Sequence, residues 1–366
     1  MLLILVLILF LIIDQRLVFT SFAKLTLGLV LFIWLSNLAR SLFFADFITR
    51  DYIEVIRYIP LLLLLISGIH FGFDQLKRIF FIYVSIDLLV SMAQFLSLGF
   101  GNLFTAVYGS PFHVDASLGI SLRALGLSSG PGQHGAIMAF FYVFFLYDFH
   151  FGRSKRLITI LGLIFSLLAI LLSQSQTSFI GIIATTLFMI GYTLINGQRT
   201  EKKNSIVALT LLLIGGMAFL YVFLDELRYL YTLVELGLER NSFQRRLAKS
   251  DVVWEMALTF PSLLLIGYGK DFFGTLSTAM DNEYLYVFFI YGFVVGIVFL
   301  LIALFFLVKV FFLNRELPRH FLLVGFIIVL GLILAYPASF FTEPRIIILL
   351  ASLFLLEENA FIVDKD

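Results

Sequence analysis

Residues Tyr284 to Val308 read YLYVFFIYGFVVGIVFLLIALFFLV, 25 residues without one charged side chain. The hydrocarbon core of a bilayer is about 30 Å thick, and a helix needs about 20 apolar residues to cross it. There every backbone N–H and C=O must be bonded within its own segment, which leaves a helix or a closed barrel. The run lacks the alternation of a barrel strand, so it is read as a transmembrane helix. Similar runs flank it almost end to end: the 366-residue chain is 61% hydrophobic and 13% charged, against about 45–50% and 25% in soluble domains. Short polar breaks divide these runs into eleven expected helices at 1–13, 17–39, 52–69, 79–99, 132–147, 157–173, 178–195, 205–224, 284–308, 321–339 and 346–356. The expected fold is an all-α, polytopic transmembrane bundle forming one integral membrane domain over residues 1–366.

The chain has no cysteine, which removes disulfides, thiolate catalysis and cysteine-held metals. The first run, Met1 to Ile13, lacks a basic leader and a small-residue cleavage site and is read as a retained helix. Two connections are long, 100–131 and 225–283, and both are too apolar and aromatic for disorder. Basic residues of short loops stay cytoplasmic. Lys77 and Arg78, then Arg153, Lys155 and Arg156, then Arg199, Lys202 and Lys203, then Arg315 and Arg319 fall on one side of an alternating eleven-helix chain. Both long loops then face outward, with the N-terminus outside and the C-terminus inside.

The second long loop carries Arg228, Arg240, Arg245, Arg246, Lys249 and Lys270. They are either a solvated surface or an anion site, since arginine forks match phosphate oxygens. Phe243, Leu247, Trp254 and Leu258 fall on one helical face, predicting an amphipathic helix that holds Arg245 and Arg246 at headgroup depth. The first long loop ends in Arg123-Ala-Leu-Gly-Leu-Ser-Ser-Gly-Pro-Gly-Gln-His134-Gly, just before the fifth helix. Glycine and proline at a helix start free N–H groups for an anion, and His134 falls in the first turn.

Asp281-Asn282-Glu283-Tyr284 opens the ninth helix. One carboxylate is expected to cap it and the other to serve as general base for a sugar hydroxyl, with Glu283 favoured for the base and His134 a third candidate. Inside the membrane Glu54 and Arg57 share a face, as do Asp87, Ser91 and Gln94; each set is an internal brace or the wall of a polar cavity. Arg345 is expected at the outer end of the last helix, in position to close the same anion site if there is one.

These motifs together resemble the Wzy and O-antigen ligase superfamily of bacterial envelope glycosyltransferases. The likeness is sharpest from Gly267 to Gly296. In the ligases a His-Asn pair is followed after nine residues by Gly; here Asp281-Asn282 is followed by Gly292 at that spacing. Asp in place of His suits a polymerase better than a ligase. Arg123-Ala-Leu-Gly…Pro131 and Leu172-Ser-Gln-Ser-Gln-Thr-Ser178 also look like these polymerases, although many relatives carry an arginine near Gln176. The resemblance implies a GT-C-like bundle with two functional periplasmic loops in the bacterial inner membrane. It implies a metal-independent, cofactor-free inverting transfer of a growing glycan from undecaprenyl pyrophosphate to a lipid-linked repeat unit. Arg123, Arg245, Arg246, Arg345 and Arg57, with Asn282 and Tyr284, would hold the substrate. A flippase and a chain-length-determining co-polymerase are the implied partners besides the bilayer, and no nucleic acid is. An O-antigen ligase and a transporter are the alternatives, the latter without visible paired halves.

The charge pattern predicts that a topology reporter fused after Lys77, Arg153 or Lys202 reads cytoplasmic and one fused near Arg240 reads periplasmic. The same side for both would overturn the eleven-helix arrangement.

Overall fold

The computed structural model describes residues 21–44, 49–67, 70–108, 118, 123–152, 156–207, 209–210, 241–270, 282–313, 319–336 and 339–356. The expected helix 1–13, most of the expected helix 205–224, parts of both long loops (109–117, 119–122, 225–240 with Arg228 and Arg240, and 271–281 with Asp281), Arg315 and the basic pair Arg153 and Lys155 lie outside these residues. Within them the chain is helical, without a strand. The helices are α1 (Ser21–Phe44), α2 (Thr49–Val55), α3 (Ile59–Ile66), α4 (Phe73–Phe95), α5 (Gly99–Tyr108), α6 (Pro131–Phe151), α7 (Arg156–Ser173), α8 (Gln176–Asn196), α9 (Asn241–Thr259), α10 (Phe293–Val308), α11 (Arg319–Leu334) and α12 (Pro344–Phe354). By length and composition five segments among the described residues can cross a membrane: Thr26–Phe43, Pro131–Phe151, Arg156–Ser173, Gln176–Asn196 and Phe293–Leu313. α11 and α12 are apolar but shorter.

Two expected spans are broken, each for a local reason. In place of one helix over 52–69, α2 passes through a 3₁₀ turn, Ile56–Tyr58, into α3. Pro60 stands in the first turn of α3, where its missing N–H costs nothing, whereas inside a longer helix it would break the ladder. The run from Tyr284 starts as one turn, Glu283–Leu285, widens into a π-type turn over Tyr286–Ile290, and restarts at Phe293. Between the two stands Gly292, with φ of 98°. The first long loop also holds regular structure, α5, that was not expected.

The chain forms two compact units. The first takes residues up to Gly72, Ser242–Val324 and Ala335 onward. Its core gathers Ile33 of α1, Val253 and Ala257 of α9, Tyr268, Phe289 and Ile347 of α12. Helix α9 turns Val253 and Ala257 inward while Trp254 and Leu258 stay exposed, and the Trp254 ring meets Phe289 edge-on at 4.8 Å.

The second unit takes Phe73–Asn241 and Gly325–Leu334. Its axis is α6, in which Ala136 to Tyr147 are all at most 1% exposed. A helix apolar on every side has to be enclosed, and α4, α7 and α8 enclose this one. Phe80 of α4 sits among Phe140, Phe141 and Phe144 with ring centroids 4.8–6.1 Å apart, edge to face. Gly162 of α7 lies against the Phe145 ring with no room for a Cβ, the close approach that small residues allow between membrane helices.

Lys77, one of the basic residues of the break before the expected fourth span, is 0% exposed. Its Nζ lies 3.1 Å from Asp148 Oδ2 on α6 and 3.4 Å from Asp74, and Thr159 of α7 donates to the same Asp148 oxygen. The partner that buries it is 71 residues away and invisible to a local charge count. Removing one partner of such a pair costs about 3–5 kcal/mol, because the other charge is left alone. Lys77→Met should therefore lower the thermal midpoint of the detergent-solubilised protein sharply. Lys77→Met combined with Asp148→Leu should recover most of the loss; an unshifted single variant would show that the clasp carries no stability.

Candidate functional site

Asp87, Ser91 and Gln94 of α4 fall at i, i+4 and i+7, one stripe on one helix face. All three are at most 3% exposed. Buried polar groups need partners, and the partners come from the segment Arg123–Gly130 and the start of α6. Gln94 Oε1 accepts from the N–H groups of Leu125 at 2.9 Å and Gly126 at 2.7 Å. Its Nε2 donates to Gly126 O and to Thr105 Oγ1, each at 3.1 Å.

Gly126 adopts φ of 54°, and the space a Cβ would need is filled by Asp87 Oδ1 and the His134 ring. His134 is fully buried. Its Nε2 lies 3.1 Å from Ser91 Oγ and its Nδ1 3.3 Å from Asp87 Oδ1. The Ser91 hydroxyl donates to Asp87 O at 2.8 Å, so its lone pair is what meets Nε2. Among the described residues Asp87 Oδ2 has no hydrogen-bond partner, and His134 Nδ1 has the 3.3 Å approach to Asp87 Oδ1 in place of one.

The break between α7 and α8 joins the same cluster. Arg123 Nε donates to Ser173 O at 3.1 Å, and Ala124 N to Leu172 O at 2.9 Å. Gln174, buried, holds a left-handed φ of 48°, an uncommon conformation for a residue with a side chain. Ser175 and Ser178 share a 2.9 Å hydroxyl contact beside Gly135 of α6. The stretch from Arg123 to His134 and the break Ser173-Gln174-Ser175, which lie far apart along the chain, thus meet at one end of the second unit. The stripe on α4 that ties them together was legible as a stripe, but its partners were not.

The remaining candidates belong to the first unit. Glu283 is 1% exposed, and its carboxylate receives three backbone N–H groups: Phe340 and Phe341 at 2.9 Å on Oε2, and Thr342 on Oε1. Burial pushes this carboxyl above the ordinary range, and those amide bonds oppose the shift. Such a carboxylate anchors the turn before α12. The cap of the Glu283 turn is Asn282, whose side chain accepts from Leu285 N at 3.2 Å; the expected cap, Asp281, lies outside the described residues. Arg57 sits over the Tyr286 ring at 5.9 Å, and the Glu54 side chain expected to pair with it is not among those described. Tyr284 is half-buried. Arg345 pairs with Glu343 at 2.8 Å, which offsets part of its charge. The backbone of Arg245 and Arg246 is in α9, but their side chains lie outside the described set.

Sequence reasoning missed a second clasp in this unit. Arg40, in the last turns of α1, is 3% exposed. Its Nη2 bonds Asp51 Oδ2 at 2.7 Å and Asn37 Oδ1 at 2.6 Å, while Nη1 donates to Gly267 O at 3.1 Å. Asp51 Oδ1 accepts from Lys270 N at 2.7 Å. The arc Gly267-Tyr268-Gly269 lies along the π-type turn through Tyr268 N to Phe289 O at 2.8 Å and Gly269 N to Ile290 O at 3.2 Å. Gly267 and Gly292 pack backbone to backbone, leaving no room for a Cβ on either. The signal available in the sequence was the pair of glycines flanking Tyr268, with Gly292 interrupting the apolar run further along the chain.

Compared with family models, with curated proteins and with solved structures, the chain matches none.

Glu283→Gln replaces an acceptor oxygen with an amide that meets backbone donors, and stranding a buried donor costs about 1–3 kcal/mol. Its thermal midpoint should fall. A variant that loses activity with an unchanged midpoint would instead put Glu283 in the chemistry.

Proposed function

We propose that this chain is a membrane glycosyltransferase of the polysaccharide-polymerase type. It passes a growing glycan from undecaprenyl pyrophosphate to the free hydroxyl of a lipid-linked oligosaccharide repeat unit. The observation that carries the reading is the hydrogen-bonded cluster of the Arg123 segment with Leu172 and Ser173, with His134 on the same α4 stripe. The Arg123 and Leu172 stretches are among those on which the resemblance to the polymerases rests, and nothing in their separation along the chain requires them to meet.

The transfer forms a bond from the acceptor oxygen to the anomeric carbon and breaks the bond from that carbon to the pyrophosphate oxygen. The acceptor proton goes to a base, for which His134, Glu283 and Asp281 are the candidates, and the leaving pyrophosphate needs cations. A planar guanidinium suits two phosphate oxygens at once, and Arg123 is the candidate whose surroundings are best defined. Arg345, Arg245, Arg246 and Arg57 are the further arginines of the reading. The reading brings with it an eleven-span, GT-C-like bundle in the bacterial inner membrane with a periplasmic site, and a flippase and a co-polymerase as partners.

The purified protein incubated with undecaprenyl-pyrophosphate repeat units should give a ladder of polymer. Transfer only to added lipid A core would mark a ligase, and neither product would remove glycosyl transfer. Arg123→Ala should cut the rate by about a hundredfold or more, the scale of losing one preorganised charge donor. Arg123→Lys should rescue poorly, since an ammonium lacks the fork.

A further inference from the structure

We infer that Gln94 of α4 is the positioning residue for Arg123, setting where its guanidinium stands toward pyrophosphate. The inference rests on the glycosyl-transfer reading and adds to it a residue 29 positions upstream that the motif does not contain.

The four hydrogen-bonding places of a glutamine amide are two oxygen lone pairs and two N–H donors. In Gln94 all four are used: Leu125 N and Gly126 N on Oε1, Gly126 O and Thr105 Oγ1 on Nε2. Two backbone donors meet the same oxygen, so the amide cannot be turned over without placing N–H against N–H. Two consecutive N–H groups reach one acceptor only if the chain curls around it. Gly126 supplies the curl with its φ of 54°, and Asp87 and His134 close the space behind it.

From this fixed point the chain has three residues to reach Arg123. Ala124 and Leu125 are both 0% exposed, and Ala124 N is bonded to Leu172 O at 2.9 Å, so the path has no slack. Arg123 itself is only half-buried, unlike Asp87, Ser91, Gln94 and His134, and its Nε is fixed on Ser173 O. A bidentate contact depends on angle as well as distance, and small misplacements of a reacting or binding group carry large losses.

A glutamine that merely braced two helices would weaken the protein whatever stood at 123. A positioning residue loses its effect when the group it positions is gone. The full-length protein in detergent is therefore prepared as wild type, Gln94→Met, Arg123→Ala and the double variant; methionine keeps the volume and removes all four bonds. The first readout is calorimetric affinity for inorganic pyrophosphate. Gln94→Met is expected to weaken binding about tenfold in the wild-type background and hardly at all in Arg123→Ala, the non-additivity of a coupled pair. The second readout is amide exchange over residues 123–130, which should speed up in Gln94→Met while peptides of α7 keep their protection. Equal losses in both backgrounds, no pyrophosphate binding by the wild type, or unchanged exchange at 123–130 would overturn the inference. Coupled pyrophosphate binding without any polymer ladder would uphold Gln94 as positioning residue and remove the polymerase reading alone.

Discussion

Because α6 is enclosed on every face, its buried polar side chains have only the surrounding helices to face, and two of those meetings fix the second unit. They stand near its ends. Asp148 is met by Lys77, and His134 by Asp87 and Ser91. Both partners lie on α4, and the pairs run in opposite chain directions, so α4 and α6 are antiparallel with a polar contact at each end. Between them Phe80 interlocks with Phe140, Phe141 and Phe144. The aromatic contacts favour close packing, but rings tolerate sliding; a carboxylate facing an ammonium in a low dielectric does not. The two polar contacts therefore set the register, and the stripe from Asp87 to Gln94 follows in place to receive the Arg123 segment.

The first unit solves a different problem, an interrupted helix. The π-type turn at Tyr286–Ile290 leaves carbonyls that a continuous α-helix would bond internally. The arc from Gly267 to Gly269 uses Phe289 O and Ile290 O, and glycine is needed because the two backbones touch. The Arg40 and Asp51 pair then holds the arc from the other side. Its charges are mutually paired and further bonded to Asn37, Gly267 and Lys270, the condition under which a buried pair is not a liability.

What the sequence disclosed was what is local. The expected spans 157–173 and 178–195 sit within two residues of α7 and α8, since an apolar run ended by Ser-Gln-Ser-Gln has few ways to fold in lipid. Asp87, Ser91 and Gln94 were legible as one face by their spacing. The amphipathic stretch around Trp254 was legible by its period, and α9 covers it. What escaped depended on partners far along the chain: Lys77 with Asp148, Gln94 with Leu125 and Gly126, Glu283 with Phe340 to Thr342. Pro60 and Gly292 stood in plain view as interruptions, but an apolar period gives them no weight. Of the site, Arg123 and His134 were found by composition and position; that one α4 stripe ties them together came only from the fold.

The Lys77 clasp also orders events in time. A membrane protein is made from its N-terminus at about 5–20 residues per second, and Asp148 follows Lys77 by 71 residues. For about 4–14 seconds at that pace the newly made α4 carries an ammonium that lacks its Asp148 carboxylate. An isolated cation near a helix end is kept at the membrane surface by its flexible stem. The Lys77 clasp can therefore form only once α6 has been made. The contact that sets the register of α4 and α6 thus depends on the later of the two helices, and a chain ending before Asp148 lacks it.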